Sequence, residues 1–293
     1  MTRRLLREAA ARLAAAGVPS PDHDAAELLA HVLGTGRPLL RPADGPADDL
    51  SPSQATAFAE LVGRRAAREP LQHLTGTAAF RYVELAVGPG VFVPRPETEL
   101  LAGWAVEQAA LAVREGRVPV VVDLCTGSGA VALSVATEVP AAAVHAVELD
   151  EPAWAWAARN LAGSGVDLRH GDMADAFPDL EGRVDVVVCN PPYIPLEAFE
   201  SVAPEARDHD PQLALFAGDD GLAALRVLER TAGRLLHPGG VVGAEHADVQ
   251  GESAPAVFVA TGRWSDVRDH ADLAGRDRYL TARLARWAGE PGQ

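Results

Sequence analysis

The residues Asn190-Pro191-Pro192-Tyr193 place an amide, two prolines and a phenol directly after the apolar run Val186-Val187-Val188-Cys189. Two prolines cannot extend a β-ladder, so they fix the chain and leave the Pro191 carbonyl without an intramolecular donor. The Asn190 side-chain oxygen is a second acceptor, and the Tyr193 ring is a flat surface. Two acceptors and one aromatic plane suit a planar –NH2 group on an sp2 carbon. Such a nitrogen is a poor nucleophile because its lone pair is delocalised. Hydrogen bonding both of its protons to fixed oxygens raises electron density on nitrogen and aims it at a neighbouring electrophile. With a sulfonium methyl as that electrophile, the outcome is in-line methyl transfer. The proton is lost afterwards, so no strong base is required. Taken alone, the four residues also read as a proline turn that ends a strand.

A second group of residues could hold the donor. Asp123-Leu124-Cys125-Thr126-Gly127-Ser128-Gly129 follows an apolar run and opens a helical stretch. Gly127 and Gly129 let a ligand approach the backbone, and a helix N-terminus offers unpaired N–H groups. Glu148 closes the next apolar run, where a carboxylate can accept both hydroxyls of a ribose. After the run that follows, Asp172 can accept from an adenine amine and Met173 can cover the ring. The spacing lacks the third glycine of the dinucleotide fingerprint and the lysine of a P-loop. That favours S-adenosylmethionine over NAD or ATP. The bland alternative is a tight turn beside an exposed glutamate.

These residues need a scaffold, and the pattern around them supplies one. Val118–Leu124 is a valine-rich run interrupted only by Pro119 and Asp123, and reads as a strand buried on both faces. Ala142–Leu149, Val166–Arg169, Val184–Cys189 and Val241–Ala244 follow, separated by helical stretches. Trp264–Leu284 reads as two strands joined near Gly275. Strands alternating with helices imply an α/β fold with a doubly wound, mostly parallel Rossmann-like sheet. In such a sheet the fourth strand lies beside the first, across the switch point where ligands bind.

The first 74 residues read as a small helical bundle. Arg4–Ala16 stops at Gly17, and Ser20-Pro21 and Ser51-Pro52 are caps followed by proline. These open helices toward Gly34 and Arg68, while Pro38–Pro46 is loop-like. Residues 75–96 form a connecting segment in which Phe80–Val87 and Val91–Val93 read as a β-hairpin. A long helix from Glu97 to about Arg114 then opens the third part, residues 97–293.

Composition narrows the function classes. The chain of 293 residues is 48% hydrophobic and 23% charged, the make-up of a globular protein, and no apolar stretch is long enough for a membrane span. Glu8 and Arg12 interrupt the N-terminal stretch, so no secretory signal and a cytoplasmic location are expected. Two cysteines give neither a disulfide framework nor a Cys-based zinc module, and no His pair falls at metal-ligand spacing. The net charge of −15 falls entirely after Leu74. An acidic body repels phosphate backbones, which argues against nucleic acid as substrate. Arg3, Arg4, Arg7 and Arg64, Arg65, Arg68 are the basic groupings, read as solvated helix faces.

Along nearly its whole length the chain resembles the release factor glutamine methyltransferases. The resemblance rests on Glu69-Pro70-Leu71-Gln72, Gly88-Pro89-Gly90-Val91-Phe92-Val93-Pro94-Arg95-Pro96-Glu97-Thr98-Glu99, the glycine turn and Asn190-Pro191-Pro192-Tyr193-Ile194. Glu205, Pro211, Ala214-Leu215, Gly221-Leu222 and the tail Asp272–Arg278 match as well. It implies methylation of the Gln amide in the Gly-Gly-Gln motif of class 1 peptide chain release factors. S-adenosylmethionine would be consumed and S-adenosylhomocysteine released. The cofactor would contact Cys125, Thr126, Gly127, Ser128, Gly129, Glu148, Met173 and Asn190. Asn190, Pro191, Pro192 and Tyr193 would hold the Gln, with Phe92 lining its pocket. The helical part would help to recognise the release factor, and the enzyme would be a monomer without direct nucleic-acid or membrane contact.

Three positions depart from the family pattern. Cys125 stands where Gly is usual and must accept a side chain without positive φ. Glu148 replaces Asp, and Met173 replaces an aromatic found in some relatives. Cys125 and Cys189 end adjacent strands, which places them close enough for oxidation to couple them. The Asn-Pro-Pro-Tyr motif is shared with methyltransferases acting on adenine in nucleic acid, so it leaves that alternative open. Charge does not.

Overall fold

The computed structural model describes residues 2–35, 50–201 and 203–286, with the side chains of Thr2 and Ser201 left out. The Pro38–Pro46 loop lies outside the described residues. In chain order the elements begin with helices α1 (Thr2–Ala15), α2 (Pro21–Leu33), α3 (Pro52–Ala66) and α4 (Leu71–Thr75). Strands β1 (Thr77–Phe80) and β2 (Val83–Ala86) follow, then α5 (Thr98–Arg114), β3 (Val120–Leu124) and α6 (Ala130–Glu138). Next come β4 (Ala143–Glu148), α7 (Glu151–Asn160), β5 (Asp167–His170), β6 (Val184–Cys189) and α8 (Pro204–His209). The chain ends with α9 (Ala223–Leu235), β7 (Leu236–Glu245), α10 (Ser253–Val259), β8 (Trp264–Ala271) and β9 (Asp277–Leu284).

Two compact units result. The first holds residues 1–77, 87–89 and 203–209, so α8 belongs with the N-terminal helices. Its helices stop and start where local chemistry dictates. Val18 N–H donates to Leu13 O across Gly17, whose φ of 75° only glycine adopts cheaply. Ser51 makes a true capping box with Gln54. Ser20 sits at the expected N-cap of α2 but makes no side-chain bond there, so only the proline carries that start. Leu13, Leu28, Phe58 and Val62 form the core, each contributing about 1.5–3 kcal/mol by burial.

The basic grouping on α3 departs from expectation. Arg65 is buried, not solvated, with Nε on Asp24 at 2.8 Å and Nη2 on Glu205 at 3.0 Å. Arg68 grips the same Glu205 through two bonds of 2.7 and 2.6 Å. Arg3, Arg4, Arg7 and Arg64 are exposed as read, Arg64 pairing with Glu69 at 2.5 Å. The carboxylates that neutralise this cluster come from distant sequence positions, which spacing cannot reveal.

The second unit carries a seven-stranded sheet of order β5-β4-β3-β6-β7-β9-β8, parallel from β5 to β7 with β9 and β8 antiparallel. From β3 the chain winds through β4 to β5, then returns to β6 on the other side, making β3/β6 the switch point. Leu225, Leu228 and Leu235 of α9 pack with Val187, Val242 and Leu280 of the sheet in one buried cluster. The hairpin lies earlier than expected: β1 and β2 pair with each other, while Val91–Val93 is not a strand. Pro89 and Pro94 bracket that stretch and cannot donate to a ladder.

Candidate active site

Strand register builds the site. Leu124 pairs with Val147 on one side and with Cys189 on the other, and Cys189 pairs with Ala244. The next residues, Glu148, Cys125, Asn190 and Glu245, therefore line up at or just past the carboxyl ends of four adjacent strands. Sequence reading had named the first three.

The glycine turn is held from beneath. Asp123 is buried and accepts from the Thr126 hydroxyl at 2.6 Å and the Ala132 N–H at 3.1 Å. Burial raises its pKa to about 7 despite those bonds. Cys125, Gly127 and Gly129 all have positive φ, of 59°, 58° and 85°. The expectation that Cys125 avoids positive φ is thus overturned: the side chain is tolerated at a strain of about 1–2 kcal/mol. A Cβ on Gly129 would meet Leu161 at 3.0 Å, whereas one on Gly127 would meet open space. Gly127 therefore faces open space on that side of the turn. Asn160, which sequence reading missed, ties this turn to the hairpin: Nδ2 donates to Ser128 O and Ala86 O, both at 2.9 Å.

Glu148 is buried, and desolvation pushes its pKa up. Its Oε2 accepts from Gly127 N–H at 2.8 Å and its Oε1 from Leu149 and Asp150 N–H at 2.9 and 3.0 Å. Three of about four lone-pair sites are then in use, leaving room for one hydroxyl rather than two in this arrangement. Asp172 is exposed, with one oxygen capping Ala174 N–H at 2.8 Å. Met173 reaches further in, its sulfur 3.6 Å from the Cys125 thiol that donates to it. The Cys125 and Cys189 thiols also touch, and both are free. Burial pushes the Cys189 thiol well up, disfavouring the thiolate that oxidative coupling needs.

The tetrapeptide is the other half. Among the described residues no hydrogen bond reaches the Pro191 carbonyl or Asn190 Oδ1. Asn190 Nδ2 donates to Thr98 Oγ1 at 3.1 Å, and Thr98 Oγ1 donates to Glu245 Oε2 at 2.7 Å. Tyr193 donates its hydroxyl to Glu245 Oε1 at 3.2 Å, which fixes the phenol ring. Burial and the neighbouring carboxylate raise the phenol pKa. The Tyr193 carbonyl accepts from Gln250 Nε2 at 3.1 Å, and Ile194 exchanges bonds with Leu215 and Ala217. Pro192 is half-buried beside these residues. The Arg95 guanidinium lies 4.9 Å over the Phe92 ring and bonds Asp210 at 2.8 Å. Thr98 and Arg95 belong to a segment noted only for its resemblance, and Glu245 carried no signal beyond its place after an apolar run.

Comparison with known proteins agrees with this architecture. Residues 4–76 match the PrmC N-terminal domain model, and residues 105–205 match the methyltransferase small domain model. A release factor glutamine methyltransferase of Streptomyces coelicolor is 58% identical over 95% of this chain and 96% of its own. One from Mycolicibacterium smegmatis is 47% identical over 97% and 98%. A 4-amino-L-phenylalanine/4-methylamino-L-phenylalanine methyltransferase of Streptomyces pristinaespiralis is 49% identical over 71% of both chains. Among solved structures, the hMettl16 catalytic domain in complex with an RNA hairpin superposes with TM-score 0.54. It covers 71% of this chain and 78% of its own at 12% identity, which shows the fold alone.

Proposed function

Since the chain belongs to the release factor glutamine methyltransferases, we propose that it methylates the side-chain amide nitrogen of the Gln in the Gly-Gly-Gln motif of class 1 release factors. The observation that supports this reading is the pair of unclaimed acceptors, Asn190 Oδ1 and the Pro191 carbonyl. Both lie at the carboxyl end of β6 beside the glycine turn. A primary carboxamide has two coplanar N–H donors, and the pair takes both. Once held, the nitrogen is in plane, desolvated and unable to rotate, which lowers the entropy still to be lost in the reaction. The Tyr193 ring, anchored on Glu245, and the Phe92 ring under Arg95 give the carboxamide flat walls.

The donor that fits the glycine turn is S-adenosylmethionine, which supplies a methyl group on a positively charged sulfur. Gly127 faces open space at the turn, Glu148 offers a hydroxyl acceptor, and Asp172 and Met173 offer an amine acceptor and an apolar cover. Cys125, Thr126, Ser128 and Gly129 form the wall of the turn. The nitrogen gives up one proton to water after transfer, so none of the residues need act as a strong base. The N-terminal unit, residues 1–74 in the sequence reading, would contribute release-factor recognition. The site would work in the cytoplasm, where release factors act, and as a monomer.

The test is mass spectrometry of a release factor incubated with the protein and S-adenosylmethionine. One added methyl on the Gly-Gly-Gln glutamine, absent with Asn190→Ala, is the expected result. Methylated adenine in nucleic acid, with the release factor unchanged, would overturn it.

A further inference from the structure

Asn190 can hold a carboxamide only if its own amide faces the right way. Flipped by half a turn, it would present Nδ2, a donor, to the substrate's N–H groups and repel them. Oxygen and nitrogen of an amide have nearly the same shape, so packing alone cannot choose between the two orientations; the hydrogen-bond network must. We propose that Thr98 and Glu245 are positioning residues that set the orientation of the Asn190 side chain and so make its oxygen available to the substrate amide. The inference rests on the glutamine-methylation reading and goes further, to what prepares the site.

Two buried groups, Glu245 and Thr98, stand behind the half-buried Asn190, and their donors and acceptors fix its orientation. Glu245 is 2% exposed and, when ionised, can only accept. Its Oε2 lies 2.7 Å from Thr98 Oγ1, so the one proton of the Thr98 hydroxyl points at Glu245. Thr98, 5% exposed, then has only lone pairs left for Asn190 at 3.1 Å. Asn190 must answer with Nδ2, and Oδ1 turns outward. A carboxylate two residues removed by hydrogen bonding thus decides the polarity of the substrate contact. Tyr193 closes the arrangement by donating to the other oxygen of Glu245, which prevents that carboxylate from rotating.

The direction depends on the charge of Glu245. Protonated, it becomes a donor toward Thr98 or Tyr193, and the hydroxyl of Thr98 is no longer committed. The groups facing Glu245 are Thr98 and Glu97 at the start of α5, Tyr193 after β6 and Arg278 on β9, with Arg95 near Tyr193. Burial and Glu97 favour the neutral acid. Thr98, Arg278 and Tyr193 favour the carboxylate, and the balance places its pKa at about 7. Arg278 keeps its Nε buried with no hydrogen-bond partner among the described residues, so it acts on Glu245 through charge. The relay therefore weakens as pH falls below neutrality.

Methyl transfer to a class 1 release factor is measured with saturating S-adenosylmethionine for wild type, Thr98→Val, Thr98→Ser and Glu245→Gln, alongside calorimetric binding of S-adenosylmethionine. Thr98→Val keeps the shape and removes the hydroxyl; kcat falls about 100-fold while cofactor Kd and release-factor KM change less than about threefold. Thr98→Ser restores kcat to within about threefold of wild type. Wild-type kcat declines as pH falls below about 7, and this decline is absent in Glu245→Gln and Thr98→Val. Wild-type kcat in Thr98→Val, equal losses in Val and Ser, or an acid decline that persists in Glu245→Gln would each overturn the inference. Failure of the wild-type protein to methylate the release factor strikes the underlying reading instead, and is seen before any variant is made. Cofactor binding by each variant reports folding separately.

Discussion

Gly221→Ala probes how rigidly the tetrapeptide is held. Gly221 has φ 70°, and a Cβ there would stand 2.3 Å from the Tyr193 carbonyl oxygen and 2.7 Å from Gln250 Nε2. An ordinary carbon–oxygen contact is about 3.3 Å, so the carbonyl must retreat by about 1 Å. It cannot do so freely, because the same oxygen accepts from Gln250 and the next residue is bonded to Leu215 and Ala217. Left-handed strain adds about 1–2 kcal/mol and overpacking about 1–3 kcal/mol, for roughly 2–5 kcal/mol in all. In a chain of this size that lowers Tm by roughly 3–8 °C. Displacing Tyr193 by this amount also costs about 100-fold in kcat, with S-adenosylmethionine Kd within about threefold. Gly218→Ala is the control: its φ is 72°, but the nearest atom to its Cβ is Ala223 Cβ at an ordinary 3.5 Å. It carries the backbone strain without the collision. Calorimetry and methyl-transfer rates on both variants decide the matter. If Gly221→Ala matches Gly218→Ala in Tm and kcat, the tetrapeptide is not clamped as described.

Three further outcomes are expected. In Gly243→Ala the new Cβ meets Trp104 at 2.5 Å and Leu101 at 2.9 Å, pushing α5 from the sheet; urea unfolding should show a loss of about 1–3 kcal/mol, and kcat should fall because α5 begins at Thr98. Asp123→Ala strips the acceptor from Thr126 and Ala132, so the turn loosens and S-adenosylmethionine Kd measured by calorimetry rises about tenfold. The pKa of Glu205 is lowered from 4.5 to about 2 by Arg68 and Arg65 against a desolvation cost. Its contribution is complete above pH 4.5 and lost as pH falls toward 2, so the stability gap between wild type and Glu205→Gln should narrow over that window in urea titrations. A gap independent of pH would show that the ion cluster contributes nothing through charge.

Much of this molecule was legible locally. An apolar run followed by Asn-Pro-Pro-Tyr announces a strand end, because proline's missing N–H stops the ladder wherever the chain goes. Alternating strands and helices fix the layer order, since right-handed crossovers leave few ways to build a parallel sheet. Boundaries were less secure where two signals competed. The turn glycines Gly88 and Gly90 pointed to a hairpin at 80–93, whereas the pairing lies at 77–86, where side chains find partners in the fold.

What the chain could not disclose by pattern was which distant residues meet. Arg65 looks like one of several exposed arginines until Asp24 and Glu205 close on it. Cys125 suggested by its residue type that the backbone there is ordinary, whereas the turn around it imposes the left-handed conformation that the usual Gly would take. Composition and spacing supplied the reacting amide at residue 190; only the register of β6 with β7 and the packing of α5 on those strands brought Glu245 and Thr98 behind it. Local propensity acts over a few bonds, while a hydrogen bond between residues 92 or 147 positions apart exists solely because the folded sheet sets them side by side.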